Sequence, residues 1–297
     1  MSTLAHPSQG LKPEVAAFFD MDTATFSYVV KDPSSPACAV IDSVMDINYP
    51  SGTLGCQGAD AIINYIKQHK LRVEWHIETH VHADHLSAAP YIQQQLGGKI
   101  GIGDKITVVQ ETFAKVFNTG AEFKRDGSQF DHLFHDGEKY RVGNLDAVAL
   151  HTPGHTPACM THVIGDAAFV GDTLFMPDQG TARADFPGGS ARTLFKSIQR
   201  LYQLPDETRL FMCHDYPEQR EVACETTVAA EKVGNIHANQ QVSEADYIKR
   251  REARDATLEM PRLILPSLQV NMRAGHLPPA ESNGMTYLKI PVNAFKK

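Results

Sequence analysis

Between residues 80 and 85 the chain reads His80-Val81-His82-Ala83-Asp84-His85, three imidazoles and a carboxylate within six residues. Neutral imidazole nitrogen and carboxylate oxygen suit a borderline divalent metal. A lone surface histidine needs no explanation, but four ligand-type side chains in so short a run call for one. Further candidates of the same kind stand elsewhere: His155 after Pro153-Gly154, Asp172 after Gly171, and His214 within Cys213-His214-Asp215-Tyr216.

Each candidate stands at the end of an apolar run that reads as a strand. Val73, Trp75 and Ile77 alternate with Glu74, His76 and Glu78, the period of a strand that delivers the first motif. His80 and His82 then share one side of the chain if it stays extended. Beyond His85 a helical pattern runs to Leu96 and stops at Gly97-Gly98, so the motif is a strand-to-helix turn. The run Leu145 to Leu150 leads into Thr152-Pro153-Gly154-His155-Thr156, where proline and glycine enforce a tight turn. Ala167 to Val170 ends at Gly171-Asp172, and Arg209 to Cys213 ends at His214. A carboxylate after glycine at a strand end is a common place for a ligand and a poor place for a core residue. Strands that terminate on one rim bring their last side chains together.

The remaining pattern predicts an opening hairpin (25–31 and 37–42), a helix at 59–69, a strand at 99–103, a helix at 106–117, and strands at 139–142 and 160–164. Ser190 is the expected N-cap of a helix reaching Leu201. Residues from about 218 to 257 read as charged helices, and the proline-bearing tail as an extended segment. This is an α/β chain with sheet covered by helices. Residues 1–15 are expected to form an N-terminal arm, 16–240 the catalytic domain, and 241–297 an extension packed on the core or on a dimer partner.

The chain has 297 residues, 42% of them hydrophobic, and a net charge of -7. That balance offers no footprint for nucleic acid or an anionic membrane. No apolar run is long enough for a membrane span, and the start lacks a signal-peptide pattern, so a cytoplasmic location is expected. Cys38, Cys56, Cys159, Cys213 and Cys224 are scattered, with no CxxC pair, and read as reduced thiols.

Taken in order, His80-Val81-His82-Ala83-Asp84-His85, Thr152-Pro153-Gly154-His155-Thr156, Gly171-Asp172 and Cys213-His214-Asp215-Tyr216 resemble the metallo-β-lactamase superfamily over roughly residues 20–235. The superfamily implies a four-layer αβ/βα sandwich with metal in the cleft between the sheets. Within it, Glu78 to His85, Gly171 to Phe175 and Gly180 to Phe186 resemble the persulfide dioxygenases. That resemblance implies one Fe(II) per chain, held by His80, His155 and Asp172, with open positions for substrate and O2. It makes His82, Asp84, His85 and His214 hydrogen-bonding groups around a single metal, though they are also the residues that would build a second site. Glutathione persulfide, O2 and water would then give sulfite and glutathione. Arg183 is the expected clamp for a glutathione carboxylate, with an ion pair to Asp185 as its structural alternative. Tyr216 is the expected hydroxyl donor to substrate, its alternative being burial against a backbone carbonyl. Ser87-Ala88-Ala89 departs from the superfamily, many members of which have a glycine there. The resemblance also carries an expectation of a homodimer. Two alternatives stand beside it: a dinuclear zinc thioester hydrolase of the glyoxalase II type, and a metal-dependent sensor without turnover.

Overall fold

Alternation along the first strands decides how the chain packs. The computed structural model describes residues 11–294. Strands β1 (Glu14–Asp20), β2 (Thr25–Lys31) and β3 (Ala37–Ile41) form an antiparallel meander. Phe26, Tyr28, Val30, Ala39 and Ile41 face one way, while Val29, Cys38 and Val40 face the other. Both sets are buried, so this sheet must be covered on both sides. Of the expected arm, residues 1–10 lie outside the described residues, and Glu14 and Val15 already belong to β1.

A small sheet follows, made of β4 (Val44–Asn48), β5 (Thr53–Gly55) and, after helix α1 (Gln57–Gln68) and strand β6 (Arg72–Ile77), β7 (Leu86–Ser87). Helix α2 (Ala89–Leu96), strand β8 (Lys99–Gly103), helix α3 (Ile106–Val116) and strand β9 (His132–Phe134) complete the first half. β6, β8 and β9 join β3 in parallel, giving a six-stranded sheet in the order β1-β2-β3-β6-β8-β9. The second sheet contains β10 (Glu138–Val142), β11 (Leu145–His151), β12 (Met160–Ile164), β13 (Ala167–Phe169), β14 (Arg209–Phe211) and β15 (Glu225–Thr227) in sequence order. Helix α4 (Ala191–Leu201) crosses between β13 and β14, which pair in parallel. Helices α5 (Val228–Gly234), α6 (Glu244–Asp255) and α7 (Ile264–Asn271) close the chain.

The layers follow from which side chains share a core. Ile41, Ile77, Phe134, Ala147, Ala149, Ile164 and Phe169 meet between the two sheets. Ile62, Ile63 and Ile66 of α1 and Ile92 of α2 cover the outer face of the first sheet. Leu194, Ile198 and Leu201 of α4, with Tyr247 of α6, cover Val148, Leu150 and Val163 on the outer face of the second. The result is helix, sheet, sheet, helix.

Two expectations fail locally. Residues 218–227 are not helical: they lead into β15, where Glu225, Thr226 and Thr227 pair with Phe211, Leu210 and Arg209. The tail is not extended throughout, because α7 forms in it. Pro266 occupies the first turn of α7, where the missing N–H costs no intrahelical bond.

Candidate metal centre

Strands from both sheets converge on the seam between them. β6 leads to His80, β11 to His155, β13 to Asp172 and β14 to His214. The seam is stitched by Phe26 N–H donating to the Cys213 carbonyl at 2.7 Å and Met160 N–H to the Thr79 carbonyl at 2.9 Å. Asp172 lies in a 3₁₀ turn whose first residue, Gly171, has φ of +50°; a Cβ there would sit 2.6 Å from Thr79 Oγ1. Glycine is therefore needed to bring the carboxylate this close to the His80 turn.

Every histidine of the cluster has one ring nitrogen tied to the surrounding protein. His155 Nδ1 donates to the Arg183 carbonyl at 2.8 Å, which can only accept, so Nε2 is left with its lone pair. Thr79 Oγ1 donates to Asp42 Oδ2 at 2.8 Å and receives His80 Nδ1–H at 3.0 Å. His82 Nε2 donates to Asp42 Oδ1 at 2.9 Å. His214 Nδ1 donates to the Ala24 carbonyl at 3.2 Å, and His85 Nδ1 lies 3.4 Å from Thr25 Oγ1. The opposite atoms converge. His80 Nε2, His82 Nδ1, His85 Nε2, Asp84 Oδ2 and Asp172 Oδ1 are buried without a hydrogen-bond partner. Orphaned buried acceptors at this density are expensive in a folded protein, and their chemistry fits a divalent cation.

Ligand-type atoms of the described residues meet in four partly overlapping groups, among them His82, Cys213 and His214, and Asp42, Glu78 and His82. One ligand atom each from His80, His155 and Asp172 lie within 4.8 Å of one another, as do atoms of His82, Asp84 and His85. Asp172 stands between these last two groups: Oδ2 is 3.5 Å from His155 Nε2, and Oδ1 is 3.3 Å from His214 Nε2. His214 Nε2 is also 3.2 Å from Asp84 Oδ2. Burial, reinforced by neighbouring imidazoles, holds His80 and His82 well below the ordinary histidine range, in the neutral form a metal requires. For Asp84, burial works upward, but His214 and His85 outweigh it and leave the carboxyl low. His214 is the exception, raised because Asp84 and Asp172 outweigh its burial.

The cluster opens into a cleft of about 660 Å³ lined by Asp84, His155, Asp172, Phe175, Arg183 and Tyr216 among others. Tyr216 is 47% exposed and stacks on His214 at 5.8 Å, so it is not a buried tyrosine held by a carbonyl. Arg183 is already engaged: Nε and Nη2 bind Asp185 at 2.6 and 2.8 Å, and Nη1 binds the Glu259 carbonyl at 2.6 Å. Three of its five guanidinium N–H groups are used in this way, and Nη1 and Nη2 each keep one. Arg254 and Arg262 line the same cleft, are exposed, and have no ion-pair partner among the described residues. Cys213 is buried and its thiol is pushed up by that burial, with Asp42, Asp172 and Asp84 adding to the effect.

Two residues that support this arrangement stand outside the motifs read from the sequence. Asp42 supports both His80, through Thr79, and His82, and adopts φ of +50° to do so. It closes a wholly buried apolar strand, the same signal that marks Asp172. Asn271 donates to the carbonyls of His82 and His85 from the far end of the chain, and nothing in its neighbourhood announces it.

Residues 21–214 match the family model described as "Metallo-beta-lactamase superfamily". A probable metallo-hydrolase of Burkholderia pseudomallei is 53% identical, over 95% of this chain and 99% of that protein. Glyoxylase B2 of Dictyostelium discoideum is 45% identical, over 96% and 99%. The human mitochondrial persulfide dioxygenase ETHE1 is 27% identical, over 74% and 79%. Among solved structures, ETHE1 from Myxococcus xanthus superposes with a TM-score of 0.70 at 26% identity, covering 89% of this chain and 100% of that one. With its four layers and a cluster of candidate metal-ligand residues at the seam, the chain belongs to the metallo-β-lactamase superfamily.

Proposed function

We propose that the protein is a mononuclear ferrous persulfide dioxygenase, converting glutathione persulfide, O2 and water to glutathione, sulfite and two protons. The observation that carries this reading is the group formed by His80, His155 and Asp172, two histidines and one carboxylate with His82 tied back to Asp42. Ferrous iron held by those three would offer the adjacent open positions that a thiol-type substrate and O2 need. The likeness to the human and Myxococcus proteins supports it.

The protein's own contribution is orientation. The Arg183 carbonyl and the Thr79 hydroxyl fix the rings of His155 and His80, and His214 stands beside Asp172. With Arg183 paired to Asp185, Arg254 and Arg262 at the cleft wall carry the larger share of carboxylate recognition. His237, in the same wall, is brought down to about 4 by burial and by Arg251, Arg254 and Arg250, so it is neutral and does not share that task. Arg254→Ala and Arg262→Ala are each expected to raise KM for glutathione persulfide about 3- to 10-fold with kcat nearly unchanged, the pattern of lost uniform binding. A persulfide lacking carboxylates should show no such change.

A second reading has its own observation. His82 Nδ1, Asp84 Oδ2 and His85 Nε2 are also orphaned, and His214 faces Asp172 from that side, as a dinuclear hydrolase would need. The relatives named metallo-hydrolase and glyoxylase favour it. Protein purified without oxygen or added metal separates the two. About one iron per chain with persulfide-dependent oxygen uptake supports the dioxygenase; two zinc ions, thioester cleavage and no oxygen uptake would replace it.

A further inference from the structure

From Glu78 to His85 the chain belongs to no strand or helix, although this turn carries four of the candidate ligands and is almost wholly buried. Something other than secondary structure must hold its backbone. The side chain of Asn271, at the C-terminal end of α7 and itself only 4% exposed, supplies three bonds. Nδ2 donates to the His82 carbonyl at 2.9 Å and to the His85 carbonyl at 2.7 Å, while Oδ1 accepts Ser87 N–H at 2.8 Å. Two carbonyls and one N–H permit only this orientation of the amide.

The neighbouring residues tie α7 to the same place. Gly275 has φ of +84°, and a Cβ there would stand 2.6 Å from Pro90 Cδ and 3.0 Å from the Ser87 carbonyl. Gln110 of α3 donates to the Met272 carbonyl at 2.9 Å. Ile264 and Leu268 of α7 share a core with Val81 and Ala83 from the turn. All three Asn271 bonds fall on the stretch that includes Asp84 and His85, and they fix the peptide planes on either side of Ala83-Asp84.

We infer that Asn271 is a positioning residue for the metal centre, and that α7 serves as a clamp on the His82–Ser87 backbone rather than as a covering helix alone. The inference rests on reading this turn as metal-binding, and it is the same for one iron or two zinc ions. Removal of the amide frees two buried carbonyls and lets the planes carrying Asp84 and His85 rotate. Loss of such outer partners weakens metal binding about 10- to 100-fold.

The test uses the full metal-free chain titrated with Co(II) against a competing chelator, with the visible spectrum of bound cobalt as a second readout. Asn271→Ala is expected to bind cobalt about 10- to 100-fold more weakly with an altered spectrum. Asn271→Asp keeps the acceptor for Ser87 but loses both donors, and should behave alike even where the alanine variant folds poorly. Gln269→Ala is the control. Gln269 lies on the same helix but bonds the Leu265 and Lys289 carbonyls, so its loss loosens α7 without touching the turn. Wild-type affinity and spectrum in the Asn271 variants, or an equal loss in Gln269→Ala, would overturn the clamp. A wild-type chain that binds no cobalt would overturn the metal-binding reading itself, and the clamp with it.

Discussion

Thr79 shows how much of the site depends on one hydroxyl. Its hydroxyl donates to Asp42 Oδ2 and accepts from His80 Nδ1–H, so the tautomer that frees His80 Nε2 is set by a hydrogen-bond chain outside the candidate metal centre. Valine has nearly the same shape and no hydroxyl. Thr79→Val should therefore lower metal affinity about 10-fold or more, while Thr79→Ser, which keeps the hydroxyl, should restore most of it. Competition with a chelator measures both; equal affinities for the valine and serine variants would show that Thr79 only fills space. The histidines and aspartates of the sequence motifs are the residues whose atoms converge in the fold. Those that aim them, Asp42, Thr79 and Asn271, have no spacing of their own because their partners are distant in the chain. Arg183 illustrates the converse. The sequence left two readings open, a substrate clamp and an ion pair to Asp185, and the fold forms the ion pair.

At the scale of elements, legibility followed burial pattern. The strands that lead to His80, His155, Asp172 and His214 were readable because each is an apolar run cut off by a turn signal. Ser190 was readable as a cap, and its side chain accepts Thr193 N–H at 3.3 Å. The short or polar strands were not. β15 reads Glu225-Thr226-Thr227 and gains its conformation from pairing with β14, a tertiary partner that propensity cannot see. β7 has two residues and exists because Val44 and Met45 pair with it. β1 is only half-buried along its length and joins the sheet by pairing with β2. Helix α7 was hidden by the prolines in and around it, of which only Pro266 lies within the helix, where its place in the first turn makes it tolerable. The four layers were expected only through the family resemblance, and no local signal says that β13 and β14 pair across an intervening helix.

For the whole molecule, stability and pH are coupled through a carboxyl outside the candidate metal centre. Glu231 of α5 is fully buried; Asn235 Nδ2 donates to its Oε2 at 2.6 Å and to the Gly180 carbonyl at 2.9 Å. This joins α5 to the loop that carries Arg183 into the site. Burial raises Glu231 to about 8, with the Asn235 bond opposing it, against an ordinary value near 4.5. Between those values the folded chain holds a proton that the unfolded chain has released. Stability therefore falls as pH rises through this window and levels off above it. Glutamine mimics the protonated acid and has no proton to lose. Glu231→Gln should match the wild type near pH 5 and exceed it near pH 9 by on the order of 2–4 kcal/mol. Urea unfolding of metal-free protein at the two pH values measures the difference. Other titrating groups act on both chains alike and cancel in the comparison, so parallel pH profiles would mean that Glu231 is ionised in the fold and solvated by something the Asn235 contact does not account for.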